Sequence, residues 1–287
     1  MRIGLNLQNY GPLGHRAELM AAVDAADELG FDSVWVSDHI LMPKSLPDPY
    51  GSITEALSTL AFIAGRSERL KLGTSVVVLP QRNPILLAKQ AATIHELSAG
   101  RFTLGVGVGW VRAEYDMLGA PWPQRGRTAD EFIEAMRELW TNPDPHFHGD
   151  RVTFRDALFA PRPEGYLPLV VGGVGDAALR RVARYGDGWH AIHSDVEAIR
   201  TAKARLDELS EGRELEIQLR ISANICSTRR LEGPGIEGDP DTVRAAIEAY
   251  REAGVDLLIL DFPEQQLDDF LGQLRTFAAQ VGIGSAA

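Results

Sequence analysis

Short β-branched runs alternate with helix-spaced segments along almost the whole chain, and no other feature constrains the fold as tightly. Eight runs read as strands: RIGLNL (2–7), SVWV (33–36), KLGTSVVVL (71–79), RFTLGVGV (101–108), PLVVGG (168–173), GWHAI (188–192), LEIQLRISANI (215–225) and VDLLILDF (255–262). The third is continuously apolar, as expected of a strand covered on both faces. Between the runs, apolar residues recur three and four apart, as Leu19, Ala22, Val23 and Ala26 do within 15–29. The spacing predicts further helices over 54–64 with Thr54 as N-cap, from Pro84 to just before Gly100, and over 128–141, 175–185, 195–211, 240–253 and 264–281. Repeated βα units require parallel strands joined by right-handed crossovers. Eight of them in 287 residues predict an α/β chain folded as a (β/α)8 TIM barrel, with an open doubly wound sheet as the alternative.

Two insertions interrupt the alternation. Residues 109–127 read as a loop with a short helical piece after strand four, and 147–157 as a small hairpin before strand five. No Pro/Gly/Ser linker divides the chain, so 1–287 reads as one domain. At this length about three quarters of the unfolded surface can be buried, and no staple is needed. The single cysteine, Cys226, has no partner within the chain, which fits a reducing cytoplasm. The first residues, MRIGLNLQNYG, lack the pattern of a signal peptide, and no apolar run is long enough to span a membrane. A net charge of −11 and the lack of any basic run argue against a nucleic-acid partner.

In such a barrel, functional groups gather at the carboxyl ends of the strands. That rule selects Asn6, Gln8 and Asn9, then Asp38 and His39, the stretch from Ser75 to Arg82, and Gly107, Val108, Gly109 and Trp110. It also selects Gly172, Gly173, Val174 and Gly175, then His190 and His193, Asn224 and Asp261. Asp38-His39 follows an apolar strand directly. An imidazole with an ordinary pKa of about 6.5, oriented by a carboxylate, handles protons near neutrality. The other reading is an aspartate turn with a histidine packed on the barrel lip.

Gly172-Gly173-Val174-Gly175 opens a helix, a place where free amides favour a phosphate. A tight strand–helix turn is the alternative, and the spacing is not a dinucleotide fingerprint. The glycines at 105, 107 and 109 lie in and just after a strand, where small residues leave floor space for a flat ring. His146 with His148, and His190 with His193, have no cysteine or carboxylate cluster to complete a metal site, so no metal is expected. Trp110, Tyr115 and Trp122 cluster with Arg112, Arg125 and Arg127, as a lid over a ligand or as a subunit interface.

Over nearly its whole length the chain resembles the bacterial luciferase-like superfamily of (β/α)8 flavin enzymes, and within it the branch that uses the deazaflavin coenzyme F420. The resemblance is carried by SVWVSDHI, LGTSVVVLPQRNPILLAKQAATIHELSAGRFTLGVGVGW, RTADEFIEAMRELW and PLVVGGVGDAALRRVARYGDGW. It implies an oxidoreductase that transfers a hydride between F420 and a small organic substrate. A monooxygenase using reduced FMN and oxygen, or a flavin-binding protein without turnover, is the alternative. By matching motif, His39 handles the proton and Asp38 contacts the ring or ribityl chain. The matching GTSV places a non-proline cis peptide at Ser75-Val76, behind the ring. Gly107, Val108 and Gly109 match the segment along the ribityl chain, and Gly172 to Gly175 the segment at the phosphate. The resemblance also implies pairing as a homodimer. One departure bears on the substrate. The glucose-6-phosphate dehydrogenase branch has a catalytic glutamate where Trp110 stands and a tryptophan about where Pro43 stands, which argues against a sugar phosphate.

Overall fold

The computed structural model describes residues 1–46, 50–226, 231 and 233–283. Along the chain run β1 (Arg2–Leu7), α1 (Arg16–Leu29), β2 (Ser33–Val36), α2 (Ala56–Ala64), β3 (Lys71–Thr74), β4 (Val77–Val78), α3 (Pro84–Leu97), β5 (Phe102–Gly107), α4 (Arg112–Leu118) and α5 (Arg125–Thr141). They are followed by β6 (Phe147–His148), β7 (Thr153–Phe154), β8 (Leu169–Gly172), α6 (Asp176–Tyr185), β9 (Gly188–Ile192) and α7 (Val196–Leu209). The last elements are β10 (Glu216–Ile225), β11 (Gly235–Gly238), α8 (Pro240–Glu252), β12 (Leu257–Asp261) and α9 (Leu267–Gln280).

The strands β10, β12, β1, β2, β3, β5, β8 and β9 pair in that order, and β9 pairs back to β10. Every one of these pairings is parallel, so the sheet is a closed eight-stranded barrel ringed by helices, a TIM barrel. The antiparallel hairpin β6–β7 stands apart from it. No helix among the described residues is long and apolar enough to cross a membrane.

Four local expectations change. The run 71–79 is two strands rather than one, because the Ser75–Val76 peptide is cis and the chain resumes as β4 against β5. The N-cap of α2 is Glu55, whose carboxylate accepts the Ser58 amide at 2.7 Å, while the Thr54 hydroxyl ties back to the Asn9 carbonyl. α5 starts at Arg125 rather than 128, led in by a 3-10 turn at Trp122–Gln124 over which the Arg125 guanidinium stacks. Finally, β11 has no periodic apolar signature. It extends the sheet by pairing with the outer end of β10, from Ser222 to Ile225, beyond Arg220, the last residue that β9 reaches.

Two cores result. Ile3, Leu5, Leu7, Val34, Val36 and Leu72 point outward into the large apolar layer between strands and helices. Their neighbours in the alternation point inward, and the apolar cluster there is only Trp35, Val170, Leu257 and Ile259. Most interior positions above and below it are polar or glycine, Val76 and Ile192 being apolar exceptions at the cleft. Buried polar groups in a barrel interior must pair with one another, and that pairing builds the site.

Candidate active site

The cis peptide sets the wall of the site. A Cβ on Gly107 would lie 2.7 Å from Val76 Cγ2, and one on Gly172 3.1 Å from Val76 Cγ1. A Cβ on Gly105 would meet the Thr74 carbonyl oxygen at 2.0 Å. These three glycines therefore make room for the bulge, and the floor space expected for a ring is filled by Val76 and the Thr74 carbonyl. Gly107 and Gly172 support the wall from behind rather than lining the cleft.

His39 faces a partner that the sequence reading did not find. Its Nδ1 lies 3.0 Å from Glu114 Oε2, on α4, and Glu114 Oε1 accepts the backbone amides of Ile40 at 2.7 Å and Leu41 at 3.2 Å. Glu114 is 1% exposed. Burial pushes its carboxyl up, but the His39 hydrogen bond, the Ile40 amide and the His39 charge together outweigh it and hold the group below the usual carboxylate range. An ionised carboxylate only accepts, so Nδ1 of His39 carries a hydrogen, and in the neutral form of the ring Nε2 is the bare nitrogen. Asp38 is engaged elsewhere. Its oxygens take the Arg82 guanidinium at 2.5 Å and the Val78 amide at 3.0 Å, and Arg82 also pairs with Glu55 at 2.9 Å. The Asp38 carboxylate, expected on the ring or ribityl chain, thus ties the end of β2 to Val78 at the end of β4.

Deeper in the barrel, Arg220 of β10 pairs with Asp261 at 2.6 Å and donates to Ser37 Oγ at 2.9 Å. Burial alone would lower its pKa, but the charge of Asp261, the neighbouring Tyr10 and Tyr50 and the Asp261 hydrogen bond together more than offset this, and the guanidinium stays charged. Asn6 completes the group by donating to Asp261 Oδ1 at 3.2 Å. Burial, then the Asp261 charge, raises the pKa of the Tyr10 phenol. Tyr10 packs against Tyr50 at 4.9 Å, and Tyr50 against the His39 ring at 5.2 Å.

Ser37, His39, Tyr50, Ser75, Val76 and Arg220, with Asp38, Val78, Gly109, Trp110, Ile192 and His193, enclose a cleft of about 270 Å3 at the carboxyl ends of the strands. Trp110 stands at its mouth, 61% exposed and edge-on to His39 at 6.0 Å. In the same insertion Tyr115 is fully buried and donates to the Val108 carbonyl. Val108, Gly173, Val174 and Gly175 do not line the cleft. Gly173 and Gly175 hold positive φ values of 132° and 81° at the start of α6, and Val174 and Gly175 are exposed there. Asn224, beyond Arg220 on β10, is buried and also outside the cleft. Among the described residues there is no cluster of His, Cys, Asp or Glu able to hold a metal ion.

A (β/α)8 barrel with a carboxylate–imidazole pair opening on a cleft at the carboxyl ends of its strands has the layout of an enzyme site. Residues 3–233 match the family described as luciferase-like monooxygenase, and the chain belongs to that family. It is 29% identical over 317 residues to an F420-dependent glucose-6-phosphate dehydrogenase of Amycolatopsis mediterranei (strain U-32), covering 93% of each chain. Among solved structures, an F420-dependent secondary alcohol dehydrogenase in complex with an F420-acetone adduct superposes with a TM-score of 0.84 at 19% identity, over 98% of both chains. Monooxygenase RslO1 from Streptomyces bottropensis does so with a TM-score of 0.84 at 21% identity, again over 98% of both.

Proposed function

We propose that this protein is an F420-dependent oxidoreductase acting on a small organic substrate. The similarity to an F420-dependent dehydrogenase over 93% of both chains supports the cofactor. The residues fit such a group. A cleft of about 270 Å3 backed by Val76 suits one flat ring system rather than a whole cofactor, being just below the ~300–1,000 Å3 of small-molecule sites. The positive-φ glycines and the Asp176 and Ala177 amides that open α6 would hold a phosphate outside it. When bound, the deazaflavin supplies the hydride chemistry.

The chain's own part is positioning and proton handling. Val76, seated on Gly107 and Gly172, backs the ring. Arg82 anchors Asp38 and with it the end of β2, from which His39 projects. Glu114 holds the Nδ1 hydrogen of His39, so Nε2 is the atom that takes a proton from the substrate or returns it. The observation that carries this reading is the meeting of that oriented imidazole with the Ser75–Val76 bulge in one cleft. Trp110 and Tyr50 give the mouth an aromatic lining, which favours a more apolar substrate than a sugar phosphate.

A monooxygenase using reduced FMN is the second reading. It is favoured by the family description and by the equal TM-score of the monooxygenase RslO1. Titrating the protein with F420 and with FMN, followed by tryptophan fluorescence, separates the two. Tighter binding of F420 is expected, and a preference for FMN refutes the first reading. His39→Ala should then lower turnover far more than cofactor affinity, and equal losses would assign His39 to binding alone.

A further inference from the structure

A chain of hydrogen bonds climbs the inside of the barrel from its amino-terminal face to Ser75 in the cleft, and Glu216, Gln218 and His190, which form it, have no part in the chemistry above. Arg2 pairs with Glu216 Oε1 at the start of β10. Gln218 Nε2 donates to Glu216 Oε2 at 2.9 Å. Gln218 Oε1 lies 3.0 Å from His190 Nδ1, and His190 Nε2 lies 2.8 Å from Ser75 Oγ. Gln218 is 1% exposed and His190 is completely buried.

Each role in the chain follows from the one below it. A carboxylate ion-paired with arginine only accepts, so the Gln218 amide nitrogen must face Glu216 and its oxygen must face His190. That oxygen also only accepts, so the His190 hydrogen sits on Nδ1 and Nε2 is a bare lone pair. The only hydrogen available to that lone pair is the one on the Ser75 hydroxyl. Burial, and then the neighbouring Arg220 charge, push the imidazole down to about 4 against the pull of the Gln218 hydrogen bond, so the ring is neutral and donates from one nitrogen. Ser75 is also held through its backbone, its amide donating to the Val36 carbonyl at 2.8 Å and its carbonyl accepting from Arg220 Nη1 at 3.4 Å.

We propose that His190 and Gln218 are positioning residues that pin the Ser75 hydroxyl proton away from the cleft, so that Ser75 Oγ offers a bound ligand only an acceptor. A ligand group seated there must bring an N–H or O–H. A carbonyl oxygen at the same place would face a lone pair. The inference rests on the cleft being the ligand site, not on which cofactor it takes.

Nitrogen-15 NMR of the full chain with labelled histidine tests the tautomer directly. Among the seven histidines, the His190 signal is the one that His190→Phe removes. The expected signature is a neutral Nδ1–H ring that does not titrate between pH 8 and 5. An Nε2–H ring, or titration near the ordinary value of about 6.5, overturns the proposal. In Gln218→Met the acceptor for Nδ1–H is gone at similar volume, and the ring should switch to Nε2–H. Retention of Nδ1–H there also overturns it.

The consequence for ligands is read from F420 and FMN affinities of wild type, Ser75→Ala, Gln218→Met and the double variant. Leaving a buried donor without its acceptor costs roughly tenfold in affinity. Each single variant should therefore lose about tenfold, and the double variant no more than either. Losses that multiply in the double variant refute the coupling. If neither cofactor binds the wild type, the functional reading falls and the tautomer measurement alone decides this inference.

Discussion

Mild acid should weaken the fold through His190 before the carboxylates titrate. The imidazole is held down to about 4 in the folded protein, by burial first and then by Arg220. In the unfolded chain it returns to about 6.5. Between those two values the unfolded chain binds more protons than the folded one, so stability falls as pH falls. The contribution is complete above pH ~6.5 and gone by pH ~4. The gap of about 2.5 units is worth about 3 kcal/mol in all, of which about 2 kcal/mol is lost between pH 7 and pH 5. Glu55, Glu114 and Asp239 have carboxyls held below their ordinary values, so their contributions are lost only at lower pH. His193 is also depressed and acts in the same direction, so the comparison must be made with a variant. Urea unfolding followed by circular dichroism at pH 7 and pH 5, for wild type and His190→Phe, isolates the term. His190→Phe should be less stable at pH 7, having lost two hydrogen bonds, yet lose about 2 kcal/mol less on going to pH 5. Equal losses in the two proteins would refute the reasoning.

Three further substitutions probe the site from different sides. Glu114→Gln removes the charge that orients His39, and turnover should drop by about a hundredfold or more while cofactor affinity stays within a few-fold; an affinity loss as large as the turnover loss would assign Glu114 to binding. Arg82→Ala leaves the Asp38 carboxylate buried without its cation and should cost about 3–5 kcal/mol in urea unfolding, and a cost under about 1 kcal/mol would show that water relieves the charge. Gly107→Ala puts a methyl within 2.7 Å of Val76 and should displace the wall behind the ring; cofactor affinity unchanged in a fluorescence titration would show that the wall does not touch the cofactor.

The barrel was legible because each of its strands advertises itself in the same way. Leu5, Leu7, Val34 and Val36 face helices, and an apolar outer face is what a strand under a helical layer requires. β11 was not legible, since Gly235–Gly238 carries little apolar signal and pairs with the outer end of β10, which β9 does not reach. The break at Ser75–Val76 left no trace in apolar patterning and came only from the resemblance. Patterning is equally silent on what Gly105, Gly107 and Gly172 accommodate: a glycine shows that something approaches closely, not whether it is a ligand or the protein's own Val76 and Thr74 carbonyl.

The site was legible in part, and the missed residues divide into two kinds. Glu114 lies 75 positions from His39, and an acidic residue in the first turn of a short helix reads as ordinary support for the helix dipole. Only the fold brings the two together. Gln218 and Arg220 are different, because LEIQLRISANI alternates strictly from Glu216 through Gln218, Arg220 and Ser222 to Asn224. Once a closed barrel is expected, the apolar set Ile217, Leu219, Ile221, Ala223 and Ile225 must face the helices, and the polar set is left to the interior. An arginine there cannot remain unpaired, and an acidic residue on the adjoining strand is the nearest remedy, which Asp261 provides. A glutamine one step lower on the same face must likewise find a partner on the strand beside it, and His190 is paired with it in register. The polar interior of this barrel was therefore written in one strand's alternation, and the chain from Glu216 to Ser75 follows from asking where those side chains could turn.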